Sequence, residues 1–198
     1  MIAKLQFHKT ALAIFLIWLF HISAIIGIGS GYQDWFVGKT PINLLLCLLL
    51  FIWVFPIDSL KKWIGFAIFF LGGMFAEWLG VHYGLLFGNY SYGSNLGYKL
   101  AGVPLLIGVN WALLTFVSAG IATYFTDRFW SKVILSALLM VILDYLMEHS
   151  AAHFDFWSFE GGLATLENYI SWLALAFVFQ LILQKLAIEG SQKFSFHL

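Results

Sequence analysis

Charge is scarce in this chain. Only 10% of its 198 residues are Asp, Glu, Lys or Arg, ten acidic against ten basic, and no basic tract occurs. That removes a nucleic-acid partner, which needs a clustered positive footprint. Cysteine is nearly missing as well: Cys47 has no second thiol to pair with, which excludes an internal disulfide, and its apolar neighbours make it a core or lipid-facing residue. The few prolines, Pro41, Pro56 and Pro104, stand at the edges of apolar runs. The short alternating strands that a membrane barrel requires are lacking too. No Gly-rich nucleotide-binding context and no Ser-His-Asp series is present.

Apolar residues are what the chain has in excess. At 62% hydrophobic and a mean hydropathy of +0.90, it is too apolar for an ordinary water-soluble domain. Its apolar runs recur about every 25 to 35 residues, and roughly 20 residues suffice for a helix to cross the hydrocarbon. Backbone groups inside lipid must satisfy one another, so helices are expected. The reading is an all-α, polytopic membrane helix bundle, with residues 1–198 forming a single integral membrane domain. Six transmembrane helices are expected: Thr10 to Gly29, Pro41 to Phe55, Leu60 to Gly80, Leu100 to Phe125, Trp130 to Ala152, and Tyr169 to Ile188. The first run is long and Gly29-Ser30-Gly31 is a poor cleavage site, so it reads as a span and not as a signal peptide. The second is only just long enough, and Pro56-Ile57-Asp58-Ser59 turns the chain after it.

Six spans put both termini on one side. Lys4, Lys9, Lys61, Lys62, Arg128, Lys132, Lys185 and Lys193 then share that side, with only Lys39 and Lys99 opposite. This bias predicts cytoplasmic termini and a multi-pass protein of the cell inner membrane.

The same topology gathers polar groups in the outer half of the bundle: His21, Glu77, Asn110, Asp144, Glu148 and His149. Asp144 and Glu148 are four apart and share a helix face. An acid near the bilayer centre costs roughly 2.5 to 3.5 kcal/mol on an insertion scale, so such groups should face the bundle interior or a polar cavity; acids near a helix end are also wetted by headgroup water. His149 and His153 have a metal-compatible spacing, but His8 and His197 fall on the opposite side, so a histidine-rich di-iron site cannot be assembled. A carboxylate-rich site on Glu77, Asp144, Glu148 and His149 stays open, and neither a metal nor an organic cofactor is assigned. Two long loops, one on each side of the fourth and fifth segments, carry Tyr90 and Tyr92, and Asp155, Trp157 and Asn168, with Trp172 just beyond. Such aromatics form an interfacial belt or, beside buried acids, walls for a flat apolar substrate or a passing carbocation. Gly72-Gly73 and Gly102 read as sites of close helix approach, and Gly80, Gly84, Gly88, Gly93 and Gly97 as loop glycines.

The run Glu77-Trp-Leu-Gly-Val-His-Tyr-Gly-Leu-Leu-Phe-Gly-Asn-Tyr-Ser-Tyr92, then Leu96-Gly97 and Gly102-Val103-Pro104, resembles the bacterial and archaeal carotenoid biosynthesis membrane proteins, a family that includes carotenoid 1,2-hydratases and bisanhydrobacterioruberin hydratases. Leu143-Asp144, Glu148, Asp155-Phe-Trp-Ser-Phe-Glu-Gly-Gly162 and Asn168-Tyr-Ile-Ser-Trp172 continue the likeness, which spans Gly72 to Trp172. The resemblance implies hydration of the terminal double bond of an acyclic carotenoid end group, with lipid, a hydrophobic carotenoid and water as partners. Asp144 would donate the proton, Glu148 would direct water as a base, and Glu77 would be the third carboxylate of the polar wall. The substrate-binding set is then His21, Tyr90, Tyr92, Asn110, His149, Asp155, Trp157, Asn168 and Trp172. An isoprenoid cyclase or isomerase and a non-enzymatic carotenoid-binding protein are the alternatives, and no oligomeric state is assigned.

Overall fold

The computed structural model describes residues 2–55, 57–188 and 190–198, with residues 2–7 described by their backbone; Pro56 and the side chain of Lys4 lie outside the described residues. In chain order the elements are α1 (Ile2–Gly29), α2 (Gln33–Val37), α3 (Thr40–Val54), α4 (Leu60–Tyr83), β1 (Tyr90–Tyr92), β2 (Lys99–Leu100), β3 (Val103–Pro104), α5 (Leu105–Phe125), α6 (Phe129–Ala151), β4 (Trp157–Phe159), α7 (Leu166–Lys185) and α8 (Gln192–Ser195). Helices dominate, as expected. Five are long and apolar enough to cross a membrane, namely His8–Gly29 within α1, and α4, α5, α6 and α7. The chain is therefore a multi-pass membrane protein. α3 has the apolar composition of a span but only 15 residues, about 22 Å of helix against a hydrocarbon core of roughly 30 Å.

Helix ends follow local chemistry. Ser59 caps α4, its side chain accepting from the Lys62 amide at 3.4 Å. Gly84 ends α4 in the left-handed region at φ +63. There the Leu85 amide donates to the Leu79 carbonyl and the Gly84 amide to the Gly80 carbonyl, closing the last turn.

α5 is the central helix. Of its most apolar stretch 72% is buried inside the protein, against 17–33% for the other long helices. Phe116 of α5 meets Phe51 of α3, Phe55 just after that helix and Phe69 of α4 at ring separations of 5.6–5.7 Å. Gln180 of α7, fully buried, donates to the Thr115 carbonyl at 2.9 Å and to Ser118 Oγ at 3.1 Å, joining α7 to α5. The outer faces of the surrounding helices stay apolar and exposed, with Phe15, Ile25, Leu49, Leu71, Phe75 and Leu146 each at least 60% accessible; that surface is what lipid covers.

The long loops differ from the expected irregular connections. β1 pairs antiparallel with β4 in the register Tyr90 with Phe159, Ser91 with Ser158 and Tyr92 with Trp157. β2 and β3 form a small hairpin turning at Ala101 and Gly102, both at positive φ, so α5 begins at Leu105 and not near Leu100. Gly102 thus serves this turn as well as a close approach to α4, where a Cβ would stand 3.2 Å from Val81. Gly80, expected in the loop, is helical, and it leaves room for the Tyr90 ring: a Cβ there would stand 2.7 Å from that ring.

Candidate active site

Four helices meet, each by one end, beneath the β1–β4 ribbon. α4 brings Glu77 from its last two turns, α5 brings Asn110 and Trp111 from its second turn, α6 brings Asp144 and Glu148 from near its end, and α7 brings Asn168 and Trp172 from its start. Successive residues of a strand face opposite sides. Tyr90 and Tyr92 of β1, and Trp157 and Phe159 of β4, therefore point into the space, while Ser91 and Ser158 are exposed. All these residues line one cavity of about 40 Å³, closed further by Phe87, Ile107, Leu114 and Met147.

Glu77, only 4% exposed, is held by three donors. Trp111 Nε1 donates to Oε1 at 2.9 Å, Tyr92 Oη donates to Oε2 at 2.7 Å, and Tyr90 Oη donates to the same Oε2. An indole N–H can only donate, and a carboxyl surrounded by donors has the hydrogen-bond pattern of a carboxylate. Burial first, then the Glu77 charge, push the Tyr90 and Tyr92 phenols well above the usual tyrosine range, keeping both protonated as donors.

The other two acids are held differently. Asp144, 2% exposed, accepts from Asn168 Nδ2 on Oδ2 at 3.0 Å. Glu148, half-buried, accepts from Trp157 Nε1 on Oε2 at 3.0 Å. Among the described residues each of these carboxyls takes one hydrogen bond from protein, which leaves its second oxygen for whatever occupies the cavity. Trp111 and Trp172 stack at 3.9 Å with their planes 19° apart, presenting a broad π surface beside the acids.

Three residues of the expected set lie elsewhere. His21 is on α1, outside the cavity lining, and its Nδ1 donates to the Ile17 carbonyl of its own helix at 2.7 Å. His149 is exposed, donates in the same way to the Tyr145 carbonyl at 2.8 Å, and lies outside the acid cavity on the wall of a neighbouring concavity. Asp155 is an exposed loop residue in the left-handed region at φ +52. It accepts from the Ser94 amide at 2.8 Å and from Ser94 Oγ at 2.6 Å, pinning one long loop to the other. Those Ser94 bonds hold its carboxyl below the usual aspartate range. Among the described residues no three His, Cys, Asp or Glu side chains are grouped closely enough to hold a metal.

Trp111 is the main residue that sequence reasoning passes over. An indole in an apolar helix reads as core, and only Glu77 opposite gives its N–H a purpose. Gly73 is the trace it leaves in the sequence, since a Cβ there would come within 2.5 Å of the Trp111 ring.

No curated protein and no solved structure matches the chain. The sequence profile of a family described as carotenoid biosynthesis protein matches residues 38–196, which takes in every cavity residue named above and extends well beyond the stretch carrying the motif resemblance. Through that match over most of its length, the chain belongs to the carotenoid biosynthesis protein family.

Proposed function

We propose that this protein adds water across the terminal trisubstituted double bond of an acyclic carotenoid end group, giving a tertiary alcohol. The observation that carries the reading is the convergence of Glu77, Asp144 and Glu148 on one small sheltered cavity walled by aromatic rings. An alkene is a poor base, so its protonation needs a positioned acid. In this reading Asp144 gives its proton to the CH carbon of the double bond and the neighbouring carbon becomes a tertiary cation. The Glu77 carboxylate and the Trp111–Trp172 pair stabilise that charge. A water held by Glu148 and Asn110 attacks the cation, its proton passes to Glu148, and return of a proton to Asp144 resets the site. The net change is one water added per end group.

In the same reading the chain acts as a single membrane unit of the inner membrane, with α3 completing six spans and lipid and carotenoid as its partners. The outer placement of the site is supported by the basic residues. Lys61, Lys62, Arg128, Lys132, Lys185 and Lys193 belong to the opposite helix ends or to α8.

Expression in a carotenoid-producing bacterial host, followed by mass analysis of the pigments, tests the proposal. The expected product is heavier by one or two waters, with its hydroxyl oxygen drawn from isotopically labelled water. A product of unchanged formula would replace hydration with cyclisation or isomerisation. Oxygen drawn from dioxygen would replace it with oxygenation.

A further inference from the structure

The acid-lined cavity is too small for a carotenoid. At about 40 Å³ it falls far below the roughly 300–1,000 Å³ of ordinary ligand pockets. A second concavity of about 340 Å³ lies directly against it, walled by Tyr145 and His149 of α6 and Ala152 just after it, and by Leu163, Ala164 and Tyr169 on the approach to and start of α7. Glu148, Trp157 and Phe159 line both spaces. The partition between them is therefore one acid and two rings, held by the 3.0 Å hydrogen bond from Trp157 Nε1 to Glu148 Oε2. Around the cleft Ile142, Leu146, Leu163, Leu166 and Ile170 are apolar and 54–81% accessible, with His149, Ser158 and Glu167 the exposed polar groups near its mouth. The cleft thus opens on the surface that acyl chains cover.

We infer that this cleft between the outer ends of α6 and α7 seats the conjugated polyene that follows the reacting end group. The flat chain lies against Tyr145, Tyr169 and Trp157, and its terminal double bond passes Glu148 to reach Asp144. The inference rests on the hydratase reading for the identity of the end group. A larger apolar groove of about 730 Å³ runs along α1, α2 and α3 to Phe154 and Phe156. It shares no lining residue with the acid cavity, so a chain lying there would not deliver its end to the acids.

The test uses the full-length protein in lipid nanodiscs. Ala164→Trp fills the cleft from the α7 side and Ala152→Trp from the α6 side, while Ala24→Trp fills the α1–α3 groove. Binding of a long acyclic carotenoid, read from its visible absorption, is expected to weaken at least about tenfold in A164W and A152W and to stay within about twofold of wild type in A24W. The turnover ratio of that carotenoid to a short acyclic isoprenoid with the same terminal double bond is expected to fall by the same factor in the two cleft variants. Unimpaired carotenoid binding in whichever cleft variant folds, or weakening in A24W alone, overturns the cleft. Wild-type binding that is lost in A164W with no water added to either substrate upholds the cleft and overturns hydration instead.

Discussion

Glu77 and Asp144 are both acids in apolar helices, yet their surroundings divide the work between them. Three donors converge on Glu77, whereas Asp144 has one, and the proposed hydration accordingly gives the first the charge and the second the proton to hand on. With protein levels matched, Asp144→Asn and Glu148→Gln are each expected to lower formation of the hydrated product about 100-fold or more, the scale of general acid–base catalysis; pigment analysis of the expressing cells reads this directly. Trp111→Phe keeps most of the stacking on Trp172 but leaves Glu77 Oε1 without its donor. Losing a hydrogen bond to a charged group costs about 1.5–3 kcal/mol, expected as a lower unfolding temperature in detergent. The acids are legible in the sequence because a charge in an apolar run needs a reason. His21 and His149 look equally suggestive, but each satisfies its Nδ1 on the carbonyl four residues back in its own helix, and nothing in the sequence distinguishes that from a side chain aimed inward.

The ribbon of β1 and β4 explains why aromatic residues cluster in both long loops. Tyr90-Ser-Tyr92 and Trp157-Ser-Phe159 are the same alternation, aromatic in and serine out, placed opposite each other. Three residues are too few for a period to announce a strand, so the loops read as irregular although the pattern is there. Asp155 belongs to this scale, because its bonds to Ser94 fasten the two loops just beyond the paired strands. Its carboxyl is depressed in the folded protein, so its contribution is complete above the unfolded aspartate value of about 3.9 and is lost as pH falls through the lower folded value. Asp155→Ala is expected to increase protease nicking of residues 84–104 at neutral pH. The difference from wild type should shrink once the pH drops below about 4, and a difference that persisted unchanged there would argue against the charge.

At the scale of the molecule, the segments are readable from hydropathy but their arrangement is not. Every span is apolar, and nothing in the composition of α5 marks it as the helix the others surround. The shortness of α3 is visible in the spacing of Pro41 and Phe55, while α2 and α8 are too short to register. Sidedness can be measured. In a Cys47→Ala background, Ser91→Cys on β1 is expected to react with a membrane-impermeant thiol reagent in intact cells, and Gln192→Cys on α8 only after the cells are opened. The reverse pattern would turn the protein over and put the acids at the cytoplasmic face.

The pairing of β1 with β4 also bears on how the protein is made. During synthesis Tyr90 and Tyr92 emerge with no mate, and they wait at the bilayer rim while two further helices insert before Trp157 and Phe159 arrive. Asn168 and Trp172 come later still. A stalled or shortened product would therefore carry loose carboxylates in lipid with no walled cavity around them. It would be conspicuous to the proteases that patrol membrane biogenesis.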